Sequence, residues 1–221
     1  MTEISPLNYK YGSRFLKKKF DILEKYAVGK VVLDCGCVGD PDDPDWIHGK
    51  LYKIAKKVVG VDINKGGIKK LRRKGYNVIY GNVETINLHK KFDVIFAGSL
   101  IEHIENQGLF LKNVERHLKK NGVLILTTPA ISHIGYLLDT LRARWSKKYE
   151  LSHNLHFHTF DTLWALLHRH GFSVIDFYWW MGGKFRGIMK LLINLFGNIF
   201  PPVFVGHMIF VAKKTASSQF T

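Results

Sequence analysis

The chain has 221 residues, 46% hydrophobic and 23% charged, and its 33 Lys and Arg against 18 Asp and Glu give a formal net charge of +15. This composition excludes a disordered chain, and the length predicts one domain, residues 1–221, with a sizeable buried core. The excess positive charge predicts attraction to an anionic partner such as a membrane surface or RNA. The two cysteines, Cys35 and Cys37, share one turn and make no disulfide framework, which predicts a cytoplasmic location.

Two patterns open the chain. Residues 11–28 carry apolar side chains at helical spacing, which predicts an amphipathic helix that ends just before the first strand. An apolar run at 31–33 then stops at Asp34, with Gly36 and Gly39 in the residues that follow. This predicts a buried parallel strand that ends in a tight turn. Ligands of doubly wound sheets bind beyond such strand ends, although a strand end without a ligand has the same pattern.

A second apolar run, at 58–61, ends at Asp62. An acid at the end of the second strand accepts hydrogen bonds from the ribose hydroxyls of a nucleoside cofactor. The glycine spacing of nicotinamide-binding proteins fails, because Val38 and Pro41 stand at the second and third glycine positions counted from Gly36. The pattern therefore favours a nucleoside cofactor and disfavours a dehydrogenase.

Residues 32–37, Val-Leu-Asp-Cys-Gly-Cys, resemble the first motif of the class I S-adenosylmethionine-dependent methyltransferases, an apolar strand, an acid and a short glycine-containing loop. The usual Gly-x-Gly continuation is replaced by Val38, Gly39 and Asp40. Together with a downstream Trp-x-His ending at His48, this variant resembles a subgroup of small bacterial and archaeal enzymes. The resemblance runs from about residue 31 to 129 and implies S-adenosyl-L-methionine as the cofactor.

Crossover helices are predicted at 46–57 and 67–74. His48, on the first, is either a ligand contact or a solvated side chain, and a helix-surface histidine is more often solvated. The second helix carries Lys69, Lys70, Arg72, Arg73 and Lys74. These cations form either a solvated face or a docking surface for anionic membrane or nucleic acid.

A third strand is predicted at 77–80, and the residues after it resemble the Gly-Asp-Ala-Glu of the methyltransferases. The resemblance implies that Asn82 accepts a hydrogen bond from the adenine amino group and that the Val83 N–H donates to the ring. Asn82 replaces the family's acid, but its amide oxygen still accepts a hydrogen bond. A plain turn without a ligand is the alternative, since Gly-Asn favours turns.

A fourth strand at 91–99 leads into Glu102 and His103, which resembles the fourth motif of small-molecule methyltransferases, including those that act on quinone precursors. In that family the residues after this strand lie beside the methionine part of the cofactor. The complete set of residues expected to bind the cofactor is Asp34, Cys35, Gly36, Cys37, Gly39, Asp62, Ile63, Asn82, Val83, Ser99 and Leu100.

Residues 131–160 interrupt the alternation of helices and strands that precedes them. They contain His153, His156 and His158, and three histidines so close together suggest a zinc site. Their spacing fits no single face of a helix or strand, and no Cys or carboxylate accompanies them, so no metal site is predicted. A lid over the acceptor is the favoured interpretation, because this insertion follows a strand whose carboxyl end carries the ligand.

Further strands are predicted at 123–128, 173–180 and 207–213. Helices are predicted at 108–120 and at 161–171, the latter with Asp161 as its N-cap and Gly171 beyond its C-cap. Seven strands in alternation with helices predict an α/β three-layer sandwich with a doubly wound, mostly parallel sheet. Its core spans about residues 29–129 and 161–213. Insertions at about 130–160 and 182–205 are expected to form the acceptor pocket.

These features predict an enzyme that transfers a methyl group from S-adenosyl-L-methionine to a small or lipid-linked acceptor by direct displacement. A base is needed only if the acceptor must lose a proton, and His103 is the candidate, oriented by Glu102. The alternatives are an RNA methyltransferase that uses the basic surface and a non-catalytic cofactor-binding module. No Asn-Pro-Pro-Tyr-like signature of base methylation follows the fourth strand. The acceptor and the oligomeric state are left open.

Overall fold

The computed structural model describes residues 15–16, 20–134, 154–180, 196 and 201–215. Within these ranges the chain forms one eight-stranded sheet in the order β1-β7-β8-β6-β5-β2-β3-β4. The strands are β1 Phe15–Leu16, β2 Val31–Cys35, β3 Lys57–Asp62, β4 Val78–Tyr80, β5 Phe92–Gly98, β6 Leu118–Pro129, β7 Phe172–Trp180 and β8 His207–Lys214.

The pairing of the strands confirms the predicted doubly wound architecture. Strands β2 to β6 pair in parallel, and β8 runs antiparallel to both β6 and β7. All seven predicted strands occur, and the two-residue β1 adds an eighth, parallel to β7. The strand order reverses between β5 and β2, whose carboxyl ends are therefore the expected ligand-binding edge.

The helices are α1 Phe20–Ala27, α2 Ile47–Ile54, α3 Lys65–Arg73, α4 Gln107–His117, α5 Phe160–Arg169 and α6 Pro201–Phe204, with a short 3-10 helix at Ile101–His103. Buried residues of α1 and α2 pack on one face of the sheet in a single cluster, whereas those of α4 and α5 pack on the other. These clusters form the three layers. No helix within the described ranges has the length and apolar character to cross a membrane.

Several predicted boundaries are wrong; the helix predicted at 46–57, for example, ends at Ile54. The predicted helix at 11–28 is shorter, because Phe15–Leu16 pair in parallel with Trp179 and Trp180 and so extend the sheet beyond β7. A strand edge with open backbone groups is a template for such pairing.

The N-cap of α5 is Thr159 and not Asp161. The Thr159 side chain accepts from the Thr162 N–H at 3.2 Å, and the Thr162 hydroxyl in turn accepts from the Thr159 N–H at 2.9 Å. This reciprocal capping box satisfies backbone donors that Asp161, already inside the first turn, does not reach. At the other end Gly171 has φ +76°, as predicted for the residue after the C-cap.

Candidate cofactor and acceptor site

The turn after β2 is fastened to the end of β3 by backbone hydrogen bonds. The Val61 carbonyl accepts from the Gly36 N–H at 2.8 Å and from the Cys37 N–H at 3.4 Å. Gly36 has φ +77°, a left-handed conformation that a side chain would strain. A Cβ added at Gly36 would also lie 3.2 Å from a methyl carbon of Leu100. The turn is therefore held in a shape that only glycine adopts without strain.

The Asp62 carboxylate completes this connection. Its Oδ2 accepts from the Val38 N–H at 2.9 Å, and its Oδ1 accepts from the Asn64 N–H at 2.8 Å. Each carboxylate oxygen can accept more than one hydrogen bond, so both retain capacity toward a ligand. The side chain is thus fixed in orientation between two loops, at the carboxyl end of β3, with two oxygens available to adjacent hydroxyl groups.

Trp46 and Gly39 explain the unusual glycine pattern of this loop. The Trp46 indole N–H donates to the Cys37 carbonyl at 3.1 Å, and a Cβ on Gly39 would lie 2.3 Å from Trp46 Cδ1. A Cβ on Gly67 of α3 would similarly lie 2.3 Å from Val38 Cγ1. Trp46 therefore requires a glycine at position 39 of the loop, and the loop residue Val38 requires one at position 67 of α3.

Asp34 and His48 form a buried pair below the loop. Asp34 is 3% exposed and His48 is 1% exposed, and His48 Nδ1 lies 2.8 Å from Asp34 Oδ2. The predicted cofactor residue Asp34 therefore directs its carboxylate at α2. His48 is not the solvated helix residue that its sequence position favoured, because it fills the space between α2 and the end of β2.

Aromatic rings surround His48. The ring centroids of Trp46, Tyr52 and Tyr76 lie 5.3, 5.2 and 5.9 Å from that of His48. A Cβ on Gly60 would lie 2.6 Å from His48 Cε1, so β3 needs a glycine opposite the imidazole. Close packing on all sides fixes the ring that faces Asp34.

The two cysteines of the first turn are buried, at 3% exposure for Cys35 and 2% for Cys37. Burial, with the Asp34 charge nearby, raises the pKa of both thiols above the usual range. They are therefore neutral packing residues and not nucleophiles. Any contact that they make with a cofactor must come from their backbone.

The loop after β4 lies beside Asp62, because the Gly81 N–H donates to the Asp62 carbonyl at 3.0 Å. Asn82 is exposed, and its amide oxygen accepts from the Glu84 N–H at 2.8 Å. Asn113 of α4 secures this loop by donating from Nδ2 to the Val83 carbonyl at 2.8 Å. A buried asparagine inside a helix carried no recognisable signal in the sequence.

Ile63 directly follows Asp62 and is 69% exposed. A large apolar side chain next to an anchored carboxylate is a suitable surface for the flat face of an aromatic base. The order of groups along this edge is thus a carboxylate, an apolar side chain and the amide of Asn82.

Ser99 and Leu100 close the opposite side of the turn at the end of β5. Ser99 has φ +49°, rare for a residue with a side chain, and its N–H donates to the Thr127 carbonyl at 2.8 Å. Leu100 follows and is the side chain closest to Gly36 on this side. The predicted residues Gly36, Asp62 and Leu100 are therefore brought together by the carboxyl ends of β2, β3 and β5.

Glu102, which follows β5, forms hydrogen bonds with the segment 154–160. It is 2% exposed, and its carboxylate accepts from the Thr128 hydroxyl at 3.1 Å. Its backbone carbonyl accepts from the N–H groups of Leu155 at 2.8 Å and His156 at 3.0 Å. His103, the next residue, is exposed. The imidazoles of His103 and His156 thus both extend from backbone held at Glu102.

The ends of the two predicted insertions meet. The Ala130 N–H donates to the Gly206 carbonyl at 2.9 Å, and the Ile131 N–H donates to the His158 carbonyl at 3.0 Å. His158 Nε2 lies 2.9 Å from Gln107 Nε2, and burial lowers the pKa of His158 to about 4. This histidine is therefore neutral at physiological pH.

In the portion of the chain that can be described, no three His, Cys or acidic side chains are grouped to hold a metal ion. The rings of His156 and His158 are 6.5 Å apart, whereas His153 and the basic residues Arg142 to Lys148 lie outside the described residues.

The site fits an S-adenosyl nucleoside in its chemistry. Asp62 offers two anchored acceptors for a ribose, Ile63 and Asn82 offer an apolar surface and an amide for a base, and Gly36 takes the positive φ that the turn requires. The residues whose side chains do not reach this edge are Asp34, Cys35 and Cys37, which are buried beneath it.

Comparison with known proteins agrees with this geometry. A sequence profile described as a methyltransferase domain matches residues 10–176. A ubiquinone biosynthesis O-methyltransferase of Pelagibacter ubique is 26% identical over 153 residues, which are 66% of this chain and 62% of that protein. The chain thus spans less than two thirds of the length of that relative.

Solved structures share the fold. An S-adenosylmethionine-dependent methyltransferase from Archaeoglobus fulgidus superposes with a TM-score of 0.59 at 18% identity, covering 89% of this chain and 91% of that one. The cyclase SpnF superposes with a TM-score of 0.58 at 15% identity, covering 89% and 80%. The same fold therefore carries more than one reaction.

A double-mutant cycle tests the Asp34–His48 pair. We expect His48→Leu and Asp34→Asn each to lower the free energy of unfolding by about 1.5–3 kcal/mol, the usual cost of removing a hydrogen bond to a charged group. Because the two side chains act together, the double variant should lose at least about 1 kcal/mol less than the sum. Denaturant unfolding gives these values, and additive losses would show that the pair is not coupled.

Proposed function

The chain belongs to the class I S-adenosylmethionine-dependent methyltransferase family, and on that premise we propose that it methylates a hydroxyl group of a small apolar molecule. The observation that carries the proposal is Asp62, whose carboxylate lies at the carboxyl end of β3 and is anchored to the first turn through the Val38 N–H. The relative from Pelagibacter ubique, an O-methyltransferase of ubiquinone biosynthesis, supports the choice of a hydroxyl acceptor.

The same proposal assigns the residues that would hold the cofactor. Asp62 accepts from the ribose hydroxyls, Ile63 covers the base, Asn82 and Val83 bond its edge, and the backbone around Gly36 receives the methionine part. When bound, S-adenosylmethionine supplies a methyl group on a cationic sulfur, which is already activated for displacement. The protein then has to position the acceptor and exclude water from it.

His103 is the proposed base. A hydroxyl acceptor becomes a strong nucleophile when it loses its proton, and an exposed imidazole at the end of β5 can accept that proton. Glu102 is a positioning residue, because its buried carboxylate bonds Thr128 and its carbonyl holds the N–H of His156. It fixes the backbone from which His103 extends.

The acceptor pocket is proposed to lie between the insertions 130–160 and 182–205. Their described parts carry several exposed apolar side chains, and the ends meet at Ala130. The exposed large apolar residues are Leu155, Phe157, Phe196 and Val203. Such a lining suits an apolar acceptor, free or attached to a lipid tail. For a lipid-linked acceptor we infer a cytoplasmic enzyme that contacts anionic membrane peripherally, which its net charge favours.

Cofactor binding is tested through Asp62. Asp62→Ala should weaken S-adenosylhomocysteine binding about 10- to 100-fold, because it removes hydrogen bonds to a charged acceptor. Isothermal titration calorimetry gives the affinity, and a thermal melt shows whether the fold is intact. Asp45→Ala removes an exposed acid of the neighbouring loop and should bind as the unaltered protein does. Unchanged affinity in folded Asp62→Ala would remove Asp62 from the site.

Catalysis is tested with labelled S-adenosylmethionine and phenolic or catechol acceptors, soluble and lipid-tailed. We expect label in the acceptor, and His103→Ala should lower kcat about 100- to 10,000-fold, the usual contribution of a general base. Its S-adenosylhomocysteine affinity should stay unchanged, and His168→Ala on exposed α5 surface should keep full activity.

Two results would contradict this assignment in different ways. Full activity in His103→Ala would show that the acceptor needs no base at this position. Tight cofactor binding without transfer to any hydroxyl acceptor or to RNA would favour a non-catalytic binding module.

A further inference from the structure

A second cavity lies at the edge of the sheet, between α3 and the edge strand β4. Its volume is about 540 Å³, within the range of small-molecule sites. The residues that line it are Lys65, Ile68, Lys69, Arg72, Arg73 and Tyr80. Among the described residues no acidic side chain lines it, so the cavity presents four cations and one phenol ring.

The helix spacing gathers these cations on one side. Lys65, Lys69 and Arg73 are four residues apart, which places them in a row along α3. Arg72 lies beside this row, and its Nε–H donates to the Val78 carbonyl of β4 at 2.8 Å. That bond fixes the guanidinium across the edge of the sheet and leaves its other N–H groups for acceptors outside it.

Lys70 of α3 and Lys74, its C-cap residue, face acids of the loop after the first turn. Lys74 lies 2.9 Å from Asp42, and Lys70 lies 4.0 Å from Asp40. No cation of the cavity takes part in an ion pair among the described residues. The charge of α3 is thus divided into a paired side and a side that lacks counter-ions, and a cavity with uncompensated cations attracts anions.

Tyr80 gives this cavity a second kind of contact. It ends β4 and is 53% exposed, whereas the buried Val78, two residues earlier, faces the same helix. An aromatic ring beside cations is the combination that binds nucleotides, because the ring stacks on a base while the cations bind phosphate. A flat anionic membrane would not enter a concave cavity of this size.

A second basic cavity of about 470 Å³ provides a comparison. It is lined by Lys30, Lys119, Lys120 and Lys213, but also by Asp93. The Asp93 carboxylate lies 2.8 Å from Lys119, and this interaction helps to lower the pKa of Asp93. Part of its positive charge is therefore neutralised within the protein, in contrast to the cavity at α3.

We propose that the cavity between α3 and β4 binds a nucleotide, with its phosphates on Lys65, Lys69 and Arg73 and its base on Tyr80. This cavity adjoins the proposed cofactor site, because Tyr80 pairs in register with Asp62, but none of the residues assigned to the cofactor lines it. The nucleotide can be free or part of a single-stranded RNA, since both carry the same phosphate and base chemistry.

Fluorescence anisotropy tests the proposal with two probes, fluorescein-labelled ATP and a short fluorescein-labelled RNA. Saturating S-adenosylhomocysteine is present throughout, so that the cofactor site is filled. We expect at least one probe to bind, and Tyr80→Ala to weaken it about 5- to 100-fold without changing its salt dependence.

Charge variants separate a site from general attraction. The double variant Lys69→Gln, Arg73→Gln should weaken binding and lower the slope of log K against log salt by about 1.4 for the RNA, the value for two lost phosphate contacts. Lys119→Gln, Lys120→Gln changes the net charge equally, in the other basic cavity, and should leave binding unchanged. Binding of both probes identifies a single nucleotide as the ligand, and binding of the RNA probe alone identifies a polynucleotide as the ligand.

Three outcomes would overturn the proposal. These are no binding of either probe in the presence of S-adenosylhomocysteine, equal losses in the two double variants, and affinity of this face for phosphatidylglycerol vesicles alone. Circular dichroism of Tyr80→Ala and of both double variants checks that each is folded. If Tyr80→Ala unfolds, the Gln variant of α3 still tests the proposal, because it changes only exposed cations.

Discussion

The hydrogen bond from the Val38 N–H to the Asp62 carboxylate is the constraint on which the site depends. It ties the turn after β2 to the end of β3, while the Gly81 N–H binds the Asp62 carbonyl and brings the loop after β4 to the same point. One residue thus sets the relative positions of three loops. In a doubly wound sheet these loops are the ligand-binding edge, so that fixing them prepares the site before a ligand arrives.

Packing beneath the edge supports this arrangement. Trp46 occupies the space that a side chain at Gly39 would need, and His48 occupies the space opposite Gly60. The Asp34–His48 pair then joins α2 to the end of β2 in a buried environment. Burying such a pair costs solvation, and a partner at 2.8 Å offsets that cost. The glycines of this region therefore serve close packing as much as ligand access.

Much of this could be predicted from local patterns. Apolar runs that end at Asp34 and Asp62 predicted two central strands, because strand patterning is encoded in consecutive residues. The direction of the Asp34 side chain could not be predicted in this way, since it depends on His48, a residue of the next element. The same holds for Asn113, whose bond to the Val83 carbonyl joins segments 30 residues apart in the chain. Long-range side-chain partners leave no periodic signal in a single sequence.

The most direct test of the account is a crystal structure with S-adenosylhomocysteine bound. We predict that both Asp62 carboxylate oxygens lie within hydrogen-bond distance of the ribose hydroxyls. The base should rest on Ile63 with its edge at Asn82, and the homocysteine part should lie along the backbone of the turn around Gly36. A ligand bound at another edge of the sheet, or a ribose out of reach of Asp62, would contradict the account.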